Sequence, residues 1–158
     1  MPDSKNYLLI INNMLASKQK GNITEVECML SFLKLGYNVL IPYGDCERYD
    51  FVVDIQNKLY RVQVKTANIN HIEDGYIEFQ TSNKTTRNGT FVKHRYTKEE
   101  IDYFMTCYQG QCYLVPVEEC SALDKRLRFI PPKNGQIKGI TFAMEYELEK
   151  VVQKIIDK

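Results

Sequence analysis

Histidine is scarce in this chain, with only His71 and His94, and the five cysteines at 28, 46, 107, 112 and 120 form no Cys-x-x-Cys pair and have no histidine neighbours. Those absences remove the usual zinc spacings. An odd cysteine count without a signal peptide is expected of free thiols in a reducing, cytoplasmic setting. No apolar stretch is long enough to cross a bilayer; Tyr7-Leu8-Leu9-Ile10-Ile11 stops at Asn12-Asn13 and is expected to pack on the domain. Charge of one sign is not in excess either, since the net charge is +1, so any basic footprint for nucleic acid has to be local. There is no internal repeat and no low-complexity segment.

What remains is material for one ordinary core: 158 residues, 44% of them hydrophobic, are expected to make a single domain over 1–158. Gly21-Asn22-Ile23-Thr24-Glu25 opens a helix, with Asn22 or Thr24 as N-cap, an apolar series of Val26, Met29, Leu30 and Leu33 at helical spacing, and Gly36 as its C-terminal stop. Strands follow at 37–42, 49–55, 59–65 and 76–80, read as a meander. Residues 82–96 are polar and carry Lys84, Arg87, Lys93, His94 and Arg95 without an acid, as in an exposed loop. Thr97 to Glu100 resembles a capping box starting a short helical turn; 103–108 and 112–117 read as a hairpin; 127–130 reads as an edge strand stopped by Pro131-Pro132. An amphipathic helix from Ala143 to Ile156, with Met144, Leu148, Val151, Val152, Ile155 and Ile156 on one side, ends the chain.

The chemistry lies on the hairpin of 49–55 and 59–65. Gln63 and Lys65 are two apart on an alternating strand, so their side chains leave the same face, with Val62 and Val64 on the other. Asp3-Ser4-Lys5, Gln56-Asn57-Lys58 and Gln136-Ile137-Lys138 share the spacing but not the strand, and serve as decoys. With Asp50 on the neighbouring run, an acid, an amide oxygen and an ammonium converge. Asp50 suits a hard ligand for Mg²⁺, Gln63 a neutral oxygen donor, Lys65 a group that holds the attacking water or phosphate, and Glu25 a supporting ligand. Asp54 has the parity of Asp50 but lies next to the turn.

At these residues the chain resembles the PD-(D/E)xK nuclease superfamily, and within it the endonucleases encoded in bacterial group I introns. The likeness runs through Gly-Asn-Ile-Thr-Glu at 21–25, Pro42-Tyr43-Gly44-Asp45, Arg48-Tyr49-Asp50, Val62-Gln63-Val64-Lys65-Thr66, 100–104 and 113–117, covering residues 20 to 155. It implies an α/β fold with a restriction-endonuclease-like core, a mixed four- to five-stranded sheet flanked by helices. It also implies a Mg²⁺-dependent, homing-type DNA endonuclease with catalytic positions Glu25, Asp50, Gln63 and Lys65, acting as a homo-oligomer, dimer or tetramer. Gln63 departs from the Asp or Glu of most superfamily members, which removes one charge and weakens metal binding. The intron-encoded subgroup shares that glutamine.

Each feature also has a plainer explanation. Asp50, Gln63 and Lys65 are compatible with a solvated sheet face and a cross-strand ion pair. Glu25 alone is a first-turn acid favoured by the helix dipole. The basic segment is compatible with a solvated excursion, although its place beside the site and its aromatics suit contact of Lys84, Arg87, Lys93 and Arg95 with DNA phosphates. A junction resolvase or repair nuclease of the same fold, and a catalytically silent DNA-binding module, are the rival functions.

Overall fold

The computed structural model describes residues 15–87, 90–121, 123–136 and 138–158, with the side chains of 84–87 and 91 outside that description. The apolar run at 7–11 also lies outside the described residues.

Helix α1 runs Ser17–Lys34 and begins four residues before Gly21. Neither Asn22 nor Thr24 caps it. Gln19 Oε1 accepts the Ala16 N–H at 2.9 Å, while Thr24 Oγ1 donates back to Lys20 O within the helix. Gly36 ends it as expected: at φ +85° its N–H reaches Leu33 O and that of Tyr37 reaches Phe32 O, the paired bonds of a Schellman stop. The buried stripe is not the expected one. Thr24, Cys28 and Phe32, four apart, face the core, whereas Val26, Leu30 and Leu33 are 58%, 45% and 54% exposed. Of the expected apolar series Met29 is partly buried against the core, and the rest lies on the outer side, because the side of Thr24, Cys28 and Phe32 meets the sheet, with Phe32 edge-on to Phe51 at 6.0 Å.

The main sheet has five strands in the order β1 (Asn38–Leu40), β2 (Phe51–Ile55), β3 (Lys58–Val64), β7 (Tyr103–Tyr108), β8 (Gln111–Pro116). All neighbours are antiparallel except β3 and β7, which run parallel, so the sheet is mixed as expected. Gln56 and Asn57 both have positive φ, +54° and +62°, the two-residue turn that matches strand twist in a tight hairpin. A parallel pair cannot be closed by a tight turn. Residues 65–102 therefore make a crossover, and it carries β4 (Tyr76–Gln80), β5 (Ser82–Arg87) and β6 (Thr90–Arg95).

That crossover corrects the meander. β4 leaves the main sheet and pairs antiparallel with β9 (Asp124–Arg128), and Ile77, Phe79 and Leu127 bury against the face of Phe104, Tyr113 and Val115. The predicted edge strand at 127–130 is this strand shifted toward the N-terminus, leaving Phe129 and Ile130 exposed. The basic segment is not a loop but the antiparallel hairpin β5–β6. On the opposite face of the main sheet, Phe51, Val53, Ile55, Val62, Val64, Met105 and Leu114 pack against α1 and the C-terminal helix. Strands β7 and β8 are thus buried on both faces, while β2 buries only alternate residues.

The C-terminal helix is shorter than predicted. The Tyr146 carbonyl accepts the Leu114 N–H, and Glu147 bridges to Tyr113, so the chain breaks into a turn at Ala143–Glu145 and helix α2 at Leu148–Ile156. Leu148, Val151 and Val152 are buried as expected; Met144 is 60% exposed. The free-thiol expectation fails at one pair. Cys107 and Cys112, opposite each other on β7 and β8, form a disulfide, with the Cys28 sulfur 3.6 Å from that of Cys107. Among the described residues no helix is long and apolar enough to cross a membrane.

Candidate active site

The half-packed face of β2–β3 is where polar side chains have room. The hairpin ladder extends one residue past β2, where the Asp50 N–H donates to Val62 O, and this holds Asp50 beside the end of β3. Its Oδ2 accepts the Gln63 carboxamide at 2.7 Å and the Val64 N–H at 2.5 Å. Gln63 also turns Nε2 toward Val64 O, and no hydrogen bond among the described residues reaches its Oε1. The amide is therefore spent on the acid and the backbone while its oxygen stays free to act as a donor atom.

Lys65 is just past β3, and its N–H continues the parallel ladder to Met105 O. Val62 and Val64 are buried on the other side, so the alternation predicted for 62–65 holds. The Lys65 ammonium does not pair with Asp50 within salt-bridge distance. It donates to Asn83 Oδ1 at 3.0 Å and to the Tyr96 hydroxyl at 3.3 Å. Burial lowers the Lys65 pKa and the Arg48 charge lowers it further, against the raising effect of Asp50.

Glu25 lies in the third turn of α1 rather than the first, so the helix dipole does not explain it. Thr24, its buried neighbour, sets its hydroxyl 3.4 Å from that of Thr66, one residue beyond Lys65, which brings this part of the helix to the end of β3. The Glu25 pKa is raised first by burial and then by the Asp50 charge. Burial also raises that of Asp50, partly offset by the Val64 N–H, Lys65 and Gln63. Two half-buried carboxylates that repel each other, with an amide oxygen beside them, form an all-oxygen set suited to a hard divalent cation. Asp54, ranked lower, faces Asn38 in the β1 register, at the other end of β2.

Of the basic residues, Lys93 and Arg95 are exposed, with Arg95 donating to Cys120 O at 3.2 Å. The backbone register places Lys84 opposite Lys93 and Arg87 opposite Thr90; the side chains of Lys84 and Arg87 are outside the described set. Sequence reasoning missed three groups here: Asn83 and Tyr96, which hold the lysine, and Arg48, whose guanidinium lies 4.1 Å over the Tyr96 ring. Arg48 lies within the same Arg48-Tyr49-Asp50 string as the acid. Asn83 and Tyr96 fell at the ends of the segment read as a basic loop beside the site, but nothing in the sequence marked them as partners of Lys65, which they reach through the β5–β6 excursion.

A model of the family described as PD-(D/E)XK endonuclease matches residues 15–149. Among solved structures, the chain is similar to a bacterial homing endonuclease, I-Ssp6803I, with a TM-score of 0.73 and 23% identity, over 91% of this chain and 98% of that one. At that identity the likeness shows a shared fold. No protein of curated function matches the chain significantly.

Proposed function

The chain belongs to the PD-(D/E)XK endonuclease family, and from that premise we propose that it is a Mg²⁺-dependent DNA endonuclease of the homing type, its active site made by Glu25, Asp50, Gln63 and Lys65. One observation carries the reading: Gln63 and Asp50 are locked together at 2.7 Å, with Lys65 on the same strand face and the Glu25 carboxylate near enough to feel the Asp50 charge.

Asp50, the Gln63 Oε1 and Glu25 would hold Mg²⁺, which when bound supplies charge neutralisation at the phosphate and acidifies a water. The chain's own residues do the rest. Lys65, anchored by Asn83 and Tyr96, presents an ammonium of lowered pKa that orients the attacking water against the phosphorus and stabilises the charge gathering on the phosphate oxygens. Burial around it keeps that charge in a medium where it acts more strongly than in water. The neutral Gln63 leaves the site with two carboxylates, which favours one bound cation over two.

A double-strand cut at one place needs two such sites in register, and the outer stripe of Ile23, Val26, Leu30 and Leu33 on α1 suits a contact between two copies. The C-terminal helix and the β7–β8 hairpin offer no comparable surface, since most of their apolar residues pack within the chain. The likeness to a homing endonuclease supports that role over a resolvase or repair role. The test is incubation of purified protein with supercoiled, linear and four-way-junction DNA, with Mg²⁺ and with chelator. Mg²⁺-dependent cutting of linear duplex, lost by about 10²–10⁴-fold in Lys65→Ala, is expected; metal-independent cutting, or none, overturns it.

A further inference from the structure

Arg48 is the cation that neither the sequence reading nor the catalytic set accounts for. Its guanidinium is fixed from two sides. One face lies on the Tyr96 ring, 4.1 Å from the centroid, and Nε approaches Glu100 Oε1 at 3.2 Å. Glu100 is itself held, because its Oε2 accepts the Thr97 N–H at 3.0 Å. The Nε contact is an ion pair without hydrogen-bond alignment, so Nε and Nη2 are both buried with no hydrogen-bond partner among the described residues. A planar fork of donors is thus immobilised with its donors unused, an expensive arrangement unless something else completes it. Its neighbour on the same ring is Lys65, whose Nζ lies 5.1 Å from the Tyr96 centroid. Two cations at one aromatic ring repel each other, and an anion bound between them relieves the repulsion. The side chain remains 29% exposed although Nε and Nη2 are not, so an anion reaches the guanidinium at its outer edge.

We infer that Arg48 binds a non-bridging oxygen of the scissile phosphodiester, as a second catalytic cation beside Lys65, and that Tyr96 and Glu100 are the positioning residues that hold it there. The inference rests on the nuclease reading above. Its chemistry is electrostatic: the attacked phosphorus gathers negative charge on its non-bridging oxygens, and a preorganised guanidinium is worth more to that state than to the ground state. Arg61, by contrast, is spent. It donates to Asp102 through its backbone N–H and Nε, and to the carbonyls of Lys98 and Glu99, and so clamps the turn before β7.

The test compares wild type with Arg48→Met, Arg48→Lys and Glu100→Gln in single-turnover cleavage of a short duplex containing a mapped cut site. Binding of the same duplex is measured in Ca²⁺ without turnover. The expected result for Arg48→Met is a rate lower by about 10²–10³-fold, the loss typical of one removed oxyanion donor, with affinity within a few-fold. Arg48→Lys should recover part of the rate and Glu100→Gln should lose less. A methylphosphonate at the scissile linkage, which deletes one charged oxygen, should slow wild type strongly and Arg48→Met little further. A purely structural role would slow both alike, and that result, or a wild-type rate in Arg48→Met, overturns the inference. Where Arg48→Met does not fold, the linkage comparison in Arg48→Gln, polar but uncharged, decides in the same way. If wild type cuts no DNA at all, the nuclease reading fails and this inference with it; an active wild type with an indifferent Arg48 removes the inference alone.

Discussion

Thr24 on α1 and Thr66 beyond β3 hold their hydroxyl oxygens 3.4 Å apart, and this contact between a helix and a strand end brings the next residue on each, Glu25 and Lys65, into one electrostatic neighbourhood with Asp50. The helix supplies an acid that the sheet does not need for its own stability.

That acid should cost stability. The Glu25 pKa in the folded chain is raised by burial and by Asp50. Between the ordinary carboxylate value and the raised one, the folded state binds more protons than the unfolded state, so stability falls as pH rises through that window. Glu25→Gln should therefore melt above wild type at pH 7 in chelator, with the difference closing below about pH 4.3, where the unfolded carboxyl is protonated too. Mg²⁺ should raise the wild-type melting temperature more than the variant's. A variant that melts below wild type at pH 7 contradicts the carboxylate pair.

Gln63→Glu places a carboxylate oxygen where an amide now donates to Asp50 at 2.7 Å. The free protein should lose stability through like-charge contact, and Mg²⁺ should bind more tightly and restore the loss by mass action. Calorimetric titration reads the affinity. Equal affinities in the two proteins would show that Gln63 does not face the metal.

The β5–β6 backbone register makes Lys84 and Lys93 partners across the hairpin. Replacing both by Ala should flatten the slope of log affinity against log salt by about 1.8, at about 0.9 per lost phosphate contact. Arg126 is the control. It is paired with Glu78 at 2.8 Å, and Lys125 is likewise engaged with Glu119 O, so substitution of Arg126 should leave the slope unchanged. An unchanged slope in the lysine double variant would move the DNA footprint off the hairpin.

Val26 and Leu30 are more than two-fifths exposed on the outer side of α1. Changing both to Glu should leave the fold and single-strand nicking intact while shifting the mass seen by light scattering to one chain and abolishing concerted double-strand cuts. A wild-type protein that is already monomeric, and still cuts both strands at once, excludes this surface.

Residues 51–64 were legible because what shapes them is local: alternation chooses the faces, and Gln63 and Lys65 follow by parity, although the turn is Gln56-Asn57 and Lys58 already belongs to β3. The apolar side of α2 was readable for the same reason. On α1 the helical period showed which residues share a side, yet it could not say which side the sheet would cover, and the covering fell to Thr24, Cys28 and Phe32.

By itself, then, the sequence determined the hairpin, the order of acid, amide and ammonium upon it, and the two helices that flank the sheet, since these depend on periods of two and 3.6 and on residues a few positions apart. Tertiary structure alone decided the parallel pairing of β3 with β7, the β4–β9 partnership, the Cys107–Cys112 bond and the gathering of Arg48, Asn83 and Tyr96 around Lys65. Apart from Cys107 and Cys112, five positions apart across one hairpin, these contacts join residues some 15 to 50 positions apart. A single sequence carries no local periodicity that encodes which distant partner a strand edge or a side chain will meet.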